Sequence, residues 1–284
     1  MLKPYINHKP KRNKLSPIII TSPHSGSKFT QEFLELTNYN YNAYNSLEDK
    51  YVDELYSDAI NFGITKIDAL YSRSVIDLNR HIDDIDPSII DNIPDKKFNS
   101  NAYIKSGIGL IPKVDQFQNK LYKDKIPWQN ALDRINFIYK SWHQNLKKQI
   151  INLKSEFDSL VILDCHSMPS LKAYDKKYDF ILGNKFGKSC HQDLIDFIRN
   201  ELSYLGYSVG CNYLYSGGFI TSNYNDRDRN INTLQIEVDR DLYMDSETYK
   251  KNIGFNDLKF HLNQLLQKIS HFNIDKKIKN IAAE

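Results

Sequence analysis

The sequence predicts an α/β domain built on a mostly parallel sheet. Short apolar runs typical of buried strands alternate with segments of helical periodicity, and this alternation continues through most of the chain. With 284 residues, 40% of them hydrophobic and 26% charged, the chain can bury a large core without a disulfide framework. Since neither a repeat nor a linker interrupts the pattern, we expect one domain over residues 1–284.

The first elements follow from apolar runs and from helix-capping residues. Residues 17–21, Pro-Ile-Ile-Ile-Thr, predict a short buried strand that runs directly into a polar loop. Ser46, followed by an acidic residue three positions later, is a candidate N-cap for a helix that ends at Gly63. Two further extended segments are expected, at residues 64–70 and 74–78.

The middle of the chain contains its least regular and its most regular segments. Residues 83–126 are rich in Asp, Asn, Lys and Pro with weak periodicity, which predicts a long loop or lid. From residue 128 to residue 150 apolar residues recur every three or four positions, which predicts one long amphipathic helix. The second half of the chain adds predicted strands at 159–163, 178–182, 207–213 and 233–238, and predicted helices within 189–205 and 247–272.

Charge, hydropathy and missing motifs exclude several classes of protein. The 38 basic and 35 acidic side chains give a net charge of +3 and are scattered along the chain, which argues against nucleic acid or a membrane as the main partner. No segment approaches the ~20 apolar residues of a membrane helix, and the apolar run behind the N terminus is too short for a signal peptide. The motifs GxGxxG, GxxxxGK[ST], HExxH and GxSxG are also absent from the sequence.

The cysteines indicate a reducing compartment. The chain contains Cys165, Cys190 and Cys211, an odd number without CxxC spacing. This usage is typical of cytosolic proteins and unlike that of secreted domains held by disulfides. We therefore expect a cytoplasmic protein.

Two histidines occupy the position at which ligands gather in an α/β sheet. His24 and His166 each follow a hydrophobic run within a few residues, so we expect each in a loop beyond the carboxyl end of a strand. Two imidazoles brought together in this way could bind a divalent metal ion, and a catalytic zinc ion typically takes three protein ligands. The alternative is that each histidine caps a turn or bonds to a backbone carbonyl.

A carboxylate would complete such a metal site, and two adjacent residues could supply it. Asp49 and Glu48 both lie near the start of the first predicted helix. Asp49 has a structural alternative, because Ser46-Leu-Glu-Asp49 fits a capping box in which the acidic side chain stabilises the helix N terminus. The local sequence leaves both the identity of the ligand and its role open.

Glu237 is the most informative single carboxylate in the sequence. In Leu234-Gln-Ile-Glu-Val238 the apolar and polar residues alternate, so Glu237 shares one face of a strand with Gln235. In a central strand both faces are covered, and a carboxylate there would be desolvated, as a general base working near neutrality requires. The alternative is an edge strand whose polar face meets water.

Arg73 and Arg80 could recognise an acidic substrate. They bracket the segment Arg73-Ser-Val-Ile-Asp-Leu-Asn-Arg80, and guanidinium groups bind carboxylates in a bidentate manner. Ordinary salt bridges are the alternative, with Asp77 as a partner for either arginine.

Taken together, these segments resemble the N-formylglutamate amidohydrolase family. The matching segments occur in the family's order and extend from about residue 17 to residue 245. They are Ser22-Pro-His-Ser-Gly26, Glu48-Asp-Lys-Tyr-Val-Asp-Glu-Leu55, Tyr71-Ser-Arg-Ser-Val-Ile-Asp-Leu-Asn-Arg80, Gly109-Leu-Ile-Pro112, Asp164-Cys-His-Ser-Met-Pro-Ser170, Gly217-Gly218 and Leu234-Gln-Ile-Glu-Val-Asp-Arg240.

The resemblance implies a metal-dependent amidohydrolase. The expected fold is a three-layer α/β/α arrangement around a central mixed, mostly parallel sheet, similar to zinc carboxypeptidases. The expected cofactor is one zinc ion, with Co or Mn as possible substitutes. By analogy, His24, Asp49 and His166 would be the metal ligands and Glu237 the general base.

The resemblance also implies a substrate and its binding residues. The expected reaction converts N-formyl-L-glutamate to L-glutamate and formate, a step of histidine degradation. Arg73, Arg80 and Arg240 would hold the carboxylates of this small acidic N-acyl amino acid, and His143 on the long helix would face the site. The alternatives are an amidase for another N-acyl amino acid or a peptidoglycan-type amide, selected by residues 83–126, and a catalytically silent binding protein. No oligomeric state is predicted.

Overall fold

The fold is organised around one large β-sheet. The structure is a computed structural model and describes residues 3–38, 40–170 and 176–272. Its strands, in chain order, are β1 (Tyr5–His8), β2 (Ile18–Ser22), β3 (Thr65–Ala69), β4 (Ile90–Asp91), β5 (Ile126–Pro127), β6 (Leu160–Met168), β7 (Phe180–Gly183), β8 (Val209–Cys211) and β9 (Ile231–Asp239).

Seven of these strands form the main sheet, in the order β1-β3-β2-β6-β9-β7-β8. The pairs β2/β6, β6/β9 and β7/β8 are parallel, whereas β7 runs antiparallel to β9. Strands β4 and β5 pair separately in a two-stranded sheet. The predicted α/β class with a mixed, mostly parallel sheet flanked by helices is therefore confirmed.

The α-helices of the described residues account for most of the remaining regular structure. They are α1 (Gln31–Leu36), α2 (Tyr41–Leu47), α3 (Val52–Leu55), α4 (Ala102–Lys105), α5 (Trp128–Arg134), α6 (Lys140–Lys154), α7 (Gln192–Tyr204), α8 (Phe219–Asn223) and α9 (Phe255–Ser270). Segments Arg12–Lys14, Ser57–Phe62, Pro87–Ile89 and Arg240–Leu242 are 3₁₀-helical. None of the helices in these described ranges combines the length and the apolar run that a membrane crossing requires.

The predicted helix from Ser46 to Gly63 is wrong in its start and in its continuity. Ser46 lies inside α2, where its hydroxyl donates to the Ala43 carbonyl, so it is not an N-cap. The chain then leaves the helix, and Tyr51, with a φ of 65°, precedes the short helix α3. The capping-box alternative for Asp49 is therefore wrong, because Asp49 lies in the connection between two helices.

The long helix predicted from residue 128 is present, with one irregular turn. Helices α5 and α6 are joined without a break by the π-helical segment Ile135–Tyr139. A π-helical turn admits one extra residue into the helix and so changes the face that the following residues present. By contrast, the predicted extended segment 74–78 is wrong, because these residues form turns.

Residues 83–126 contain little regular structure. Apart from one 3₁₀ turn, α4, the two residues of β4, the first residue of β5 and isolated bridges, the backbone consists of turns and irregular loop. This agrees with the predicted long loop. A role as a lid stays a prediction.

Contacts divide the described chain into two compact units, each made of several chain segments. One consists mainly of Pro23–Lys50 and Asp68–Lys147, and the other mainly of Asn7–Ser22, Tyr51–Ile67 and the chain from Lys148 onward. In the second unit, the apolar face of β2, β6, β7 and β9 packs with α3, α7 and α9 into the main core. In the first unit, the rings of residues 29, 33, 44 and 122 stack and tilt against one another. The expectation of one domain stays a prediction.

Candidate active site

His24 lies in the tight loop that follows β2. The loop passes so close to the next segment that a Cβ on Gly26 would lie 2.3 Å from the Tyr71 carbonyl oxygen, which explains the glycine. His24 is buried, and its carbonyl accepts the backbone N–H of Asp49 at 3.0 Å. Its Nδ1 lies 3.3 Å from Asp49 Oδ2, and its Nε2 lies 2.7 Å from Asp77 Oδ1. Carboxylates therefore face both ring nitrogens.

Asp77 organises the turn behind His24. It is fully buried, its Oδ2 accepts from Arg73 Nη2 at 2.6 Å, and its Oδ1 accepts the backbone N–H of Asn79. Arg80 Nη2 lies 3.8 Å away. Burial raises the pKa of Asp77, but the charges of Arg73, His24 and Arg80 outweigh it and hold that pKa well below its usual range. Asp77 is therefore an ionised, buried carboxylate.

Of the two arginines beside Asp77, Arg80 is the more deeply engaged. Its Nε donates to the Ile108 carbonyl, its Nη1 donates to the Asn79 carbonyl, and its guanidinium lies 4.0 Å from the centre of the Tyr103 ring. Desolvation by burial lowers the pKa of Arg80. Arg73 keeps 18% of its side chain exposed, so it retains more access to an external ligand.

His143 is buried on α6 against aromatic rings. Its ring centre lies 4.1 Å from that of Tyr139 and 4.9 Å from that of Trp142. Burial lowers the pKa of His143 to about 3. A hydrogen bond to the backbone of Leu78 raises this pKa, but only enough to offset part of the effect of burial. His143 is thus a neutral histidine at ordinary pH and bonds to the segment that carries Asp77.

His166 lies inside strand β6, not in a loop after it. The predicted loop is wrong, because β6 continues to Met168 and buries its polar residues as well as its apolar ones. Asp164 stands two residues earlier on the same face, and its Oδ2 lies 2.9 Å from His166 Nε2. Its other oxygen, Oδ1, accepts the Thr21 hydroxyl of the neighbouring strand at 2.7 Å. The strand continues because these buried polar groups are hydrogen-bonded.

Glu237 lies on a central strand, so the edge-strand alternative is wrong. Strand β9 runs between β6 and β7, and Glu237 is buried opposite His166 in the parallel register. Its Oε1 accepts the side-chain amide of Gln235 at 2.8 Å. A carboxylate and an imidazole therefore stand side by side at the centre of the sheet.

Arg240 follows β9 directly and is also buried. Its Nε donates to the hydroxyl of Ser167 at 3.1 Å, and Ser167 is the residue after His166. Burial raises the pKa of Asp239, the residue before it. Arg240 thus places a positive charge next to the end of β6.

The histidines after β2 and on β6 belong to one group that could hold a metal ion. Within the sheet, Thr21 is the register partner of Asp164. His24 comes three residues after Thr21, and His166 comes two residues after Asp164. His24, Asp49 and His166 are all buried, and each offers one ligand atom within 4.8 Å of the others. Asp49, not Glu48, is the carboxylate of this group. Glu48 is buried at the C-terminal end of α2.

Sequence reasoning missed the residues that hold these side chains. Asp77 was expected only as a partner for arginines, whereas it also bonds to His24. Asp164 and Gln235 were assigned no role. The spacing Asp164-Cys-His166 is the available signal, since residues two apart on a strand share a face.

The fold and this group define a class of protein: an α/β protein with a buried His-Asp-His group able to hold a metal ion and a buried glutamate on the adjacent strand. More particularly, the chain belongs to the N-formylglutamate amidohydrolase family. The family's model, described as N-formylglutamate amidohydrolase, matches residues 16–244.

Individual relatives agree with this assignment. The chain is 27% identical over 246 residues to an N-formylglutamate deformylase of Pseudomonas aeruginosa strain PAO1, covering 81% of this chain and 83% of that protein. It is 27% identical over 263 residues to an N-formylglutamate deformylase of Pseudomonas putida, covering 88% and 91%. The crystal structure of an N-formylglutamate amidohydrolase from Ralstonia eutropha JMP134 matches with a TM-score of 0.89 at 29% identity, covering 95% of this chain and 98% of that one.

Proposed function

We propose that the protein hydrolyses the formyl amide of N-formyl-L-glutamate, giving formate and L-glutamate, with one divalent metal ion bound by His24, Asp49 and His166. The observation that carries the proposal is the buried group formed by these three side chains in a chain of the N-formylglutamate amidohydrolase family. The names of the relatives supply the substrate.

The chemistry of the donor set supports a metal ion, zinc first and Co or Mn as substitutes. Two imidazoles and one carboxylate are a ligand set typical of catalytic zinc. Each histidine has a carboxylate at its Nε2, Asp77 for His24 and Asp164 for His166. This arrangement would orient the rings so that Nδ1 of each histidine could bind the ion, as carboxylate partners of metal-binding histidines commonly do.

In the proposed reaction Glu237 moves the protons. When bound, the metal ion supplies Lewis-acid polarisation of the formyl carbonyl and a more acidic water. The Glu237 carboxylate accepts a proton from the water as the water oxygen attacks the formyl carbon. The same carboxyl group then returns that proton to the nitrogen as the carbon–nitrogen bond breaks, so the amine leaves neutral.

The substrate's carboxylates need positively charged partners. Because basic and acidic side chains nearly balance over the whole chain, a few specific basic residues must provide this attraction. Arg73, Arg80, Arg240 and His143 are the residues we assign to substrate binding. Arg73 has the strongest support, because its guanidinium group is partly exposed and can bind a carboxylate in a bidentate manner. Arg80 and His143 are more buried, which favours an indirect role for them through the turn at Asp77.

The proposal extends to cellular context. We infer a cytoplasmic enzyme that catalyses a step of histidine degradation, without nucleic acid or a membrane as partner. The net charge of +3 and the three cysteines without CxxC spacing support this inference.

A hydrolysis panel tests the function. Purified protein is assayed with N-formyl, N-acetyl and N-succinyl amino acids, with and without a chelator, and after addition of zinc, cobalt or manganese. We expect formate release from N-formyl-L-glutamate that a chelator abolishes and added metal restores. Preferred turnover of another N-acyl group would identify the alternative amidase. Protein that holds no metal and gains no activity with any of the three would overturn the enzyme and favour a binding protein.

The substitution Glu237→Gln tests the general base. We expect turnover to fall by about 10²- to 10⁴-fold, the contribution typical of general acid–base catalysis, with metal content unchanged. Glu247→Gln, a matched change at an exposed glutamate, should leave turnover unaltered. Near-normal turnover in Glu237→Gln would remove this residue as the base.

A further inference from the structure

Gln235 is hydrogen-bonded to Glu237 on strand β9. The two residues are two positions apart, so their side chains share one face of the sheet. Both are buried, and Gln235 Nε2 donates to Glu237 Oε1 at 2.8 Å. A hydrogen bond from a fixed amide to a carboxylate restricts the rotation of that carboxylate.

The neighbouring strands place this pair in a specific row of the sheet. On β6, Asp164 is the register partner of Gln235 and His166 is the partner of Glu237. On β7 the corresponding partners are Gly183 and Ile181, which offer no polar side-chain atoms. The Gln235 amide is therefore a polar contact that β9 itself supplies to Glu237.

One atom of the Gln235 amide lacks a partner within the described part of the chain. Gln235 Oε1 is buried and accepts no hydrogen bond there. A buried carbonyl without a donor is unfavourable, and an apolar residue of the same shape would avoid this loss. The amide is better explained by its N–H, which faces Glu237, than by packing.

We propose that Gln235 is a positioning residue that holds the Glu237 carboxylate in its working orientation. This inference rests on the proposed function, in which Glu237 is the general base. Gln235 itself touches neither substrate nor metal in this role. It acts through Glu237, and its removal should slow the chemical step without weakening substrate binding.

The test replaces Gln235 with methionine, which keeps the length of the side chain and removes both polar groups. Residues that hold a functional side chain through a hydrogen bond typically contribute about 10- to 100-fold, so we expect kcat to fall by about this factor while KM and metal content stay within about twofold. Thr233→Val is the matched control. Thr233 lies on the same strand and face, and its buried hydroxyl also lacks a hydrogen bond among the described residues. This control should keep wild-type kcat and KM.

A double-mutant cycle separates positioning from a purely structural role. If Gln235 acts through Glu237, Gln235→Met should lower the residual kcat of Glu237→Gln by less than about threefold, because interacting residues are not additive. An equal loss in both backgrounds, or a rise in KM with kcat unchanged, would overturn the proposal.

A structural readout keeps this inference distinct from the proposed function. If wild-type protein releases no formate from N-formyl-L-glutamate, the proposed function fails, but crystals of Gln235→Met still report on Glu237. We expect the Glu237 carboxylate to adopt a different rotamer or to become disordered in that variant. An unchanged Glu237 would overturn the positioning role whatever the activity.

Discussion

The two histidines of the proposed metal site are supported by the same chemistry but by very different stretches of chain. His166 and its carboxylate, Asp164, are two residues apart on one strand, and alternation alone brings them to the same face. His24 and its carboxylate, Asp77, are 53 residues apart and meet through a loop and a turn. One partnership is a local property of a strand, whereas the other depends on long-range folding.

The difference extends to what each carboxylate holds. Asp164 contacts the ring of His166 and accepts the hydroxyl of Thr21. Asp77 also balances the charges of Arg73 and Arg80. A buried carboxylate that balances two guanidinium groups cannot be neutralised without leaving uncompensated charge, so we expect the two sites to respond differently to the same substitution.

Asp77→Asn and Asp164→Asn provide the largest test of this difference. Both changes should weaken metal binding by about 10- to 100-fold, because each removes the partner that orients a histidine. Asp77→Asn should also lower the free energy of unfolding by about 3–5 kcal/mol, since it removes the buried negative charge that faces both arginines. For Asp164→Asn we expect about 1–3 kcal/mol.

Denaturant unfolding of the metal-free proteins measures the stability difference, and metal titration measures affinity. Asp158→Asn, at an exposed aspartate, serves as the control and should match wild type in both. Equal destabilisation by Asp77→Asn and Asp164→Asn would show that the arginines do not depend on Asp77.

Thr21→Val tests the strand-based partnership more gently. The change removes the hydroxyl that donates to Asp164 Oδ1 at 2.7 Å and leaves a buried carboxylate oxygen short of a donor. We expect a loss of about 1.5–3 kcal/mol in unfolding free energy, the range for a hydrogen bond to a charged group. Thr233→Val, on the same face of the sheet, removes a hydroxyl that makes no hydrogen bond to the described residues. This change should lower the unfolding free energy by less than Thr21→Val does. The reverse order would contradict this account of Asp164.

The predicted effect of His143 is on how the stability depends on pH. Its pKa is about 3 in the folded protein and about 6.5 in an unfolded chain, so the unfolded state takes up the proton first as pH falls. The stability associated with its neutral form is complete above pH 6.5 and is lost as pH falls toward 3, by at most about 1.4 kcal/mol per pH unit.

Replacing His143 with glutamine should remove this contribution. Between pH 6 and pH 4 the unfolding free energy of His143→Gln should fall less steeply than that of wild type. The two slopes should differ by at most about 1.4 kcal/mol per pH unit, the value for one proton. Unfolding midpoints across this range provide the measurement. Parallel curves for the two proteins would indicate that His143 takes up its proton in the folded state as readily as in the unfolded one.

Much of the fold and part of the site could be predicted from local patterns. Alternation predicted that Glu237 lies on a strand, and apolar runs located β2, β6 and β9. The end of β6 was misplaced because Asp164, His166 and Ser167 look like loop residues. They remain in the strand since their polar groups are hydrogen-bonded inside the protein, and that compensation is invisible in composition.

The remaining parts depend on contacts between distant segments. No local spacing joins His24 to Asp77, and capping chemistry predicted the wrong surroundings for Asp49. The family resemblance supplied the assignments that local reasoning left open. The group of His24, Asp49 and His166 agrees with the ligand set that it implied.

The π-helical segment Ile135–Tyr139 has a consequence for how the chain can change in length. It brings two side chains onto the segment that contains Asp77: the Tyr139 hydroxyl donates to the Arg80 carbonyl at 2.8 Å, and His143 bonds to the backbone of Leu78. If the same residues formed a regular α-helix without this wider turn, everything after it would be rotated by about 100°. Both bonds would then be lost together. Insertions and deletions should therefore be rarer in this helix than its distance from the metal-binding residues in sequence would suggest.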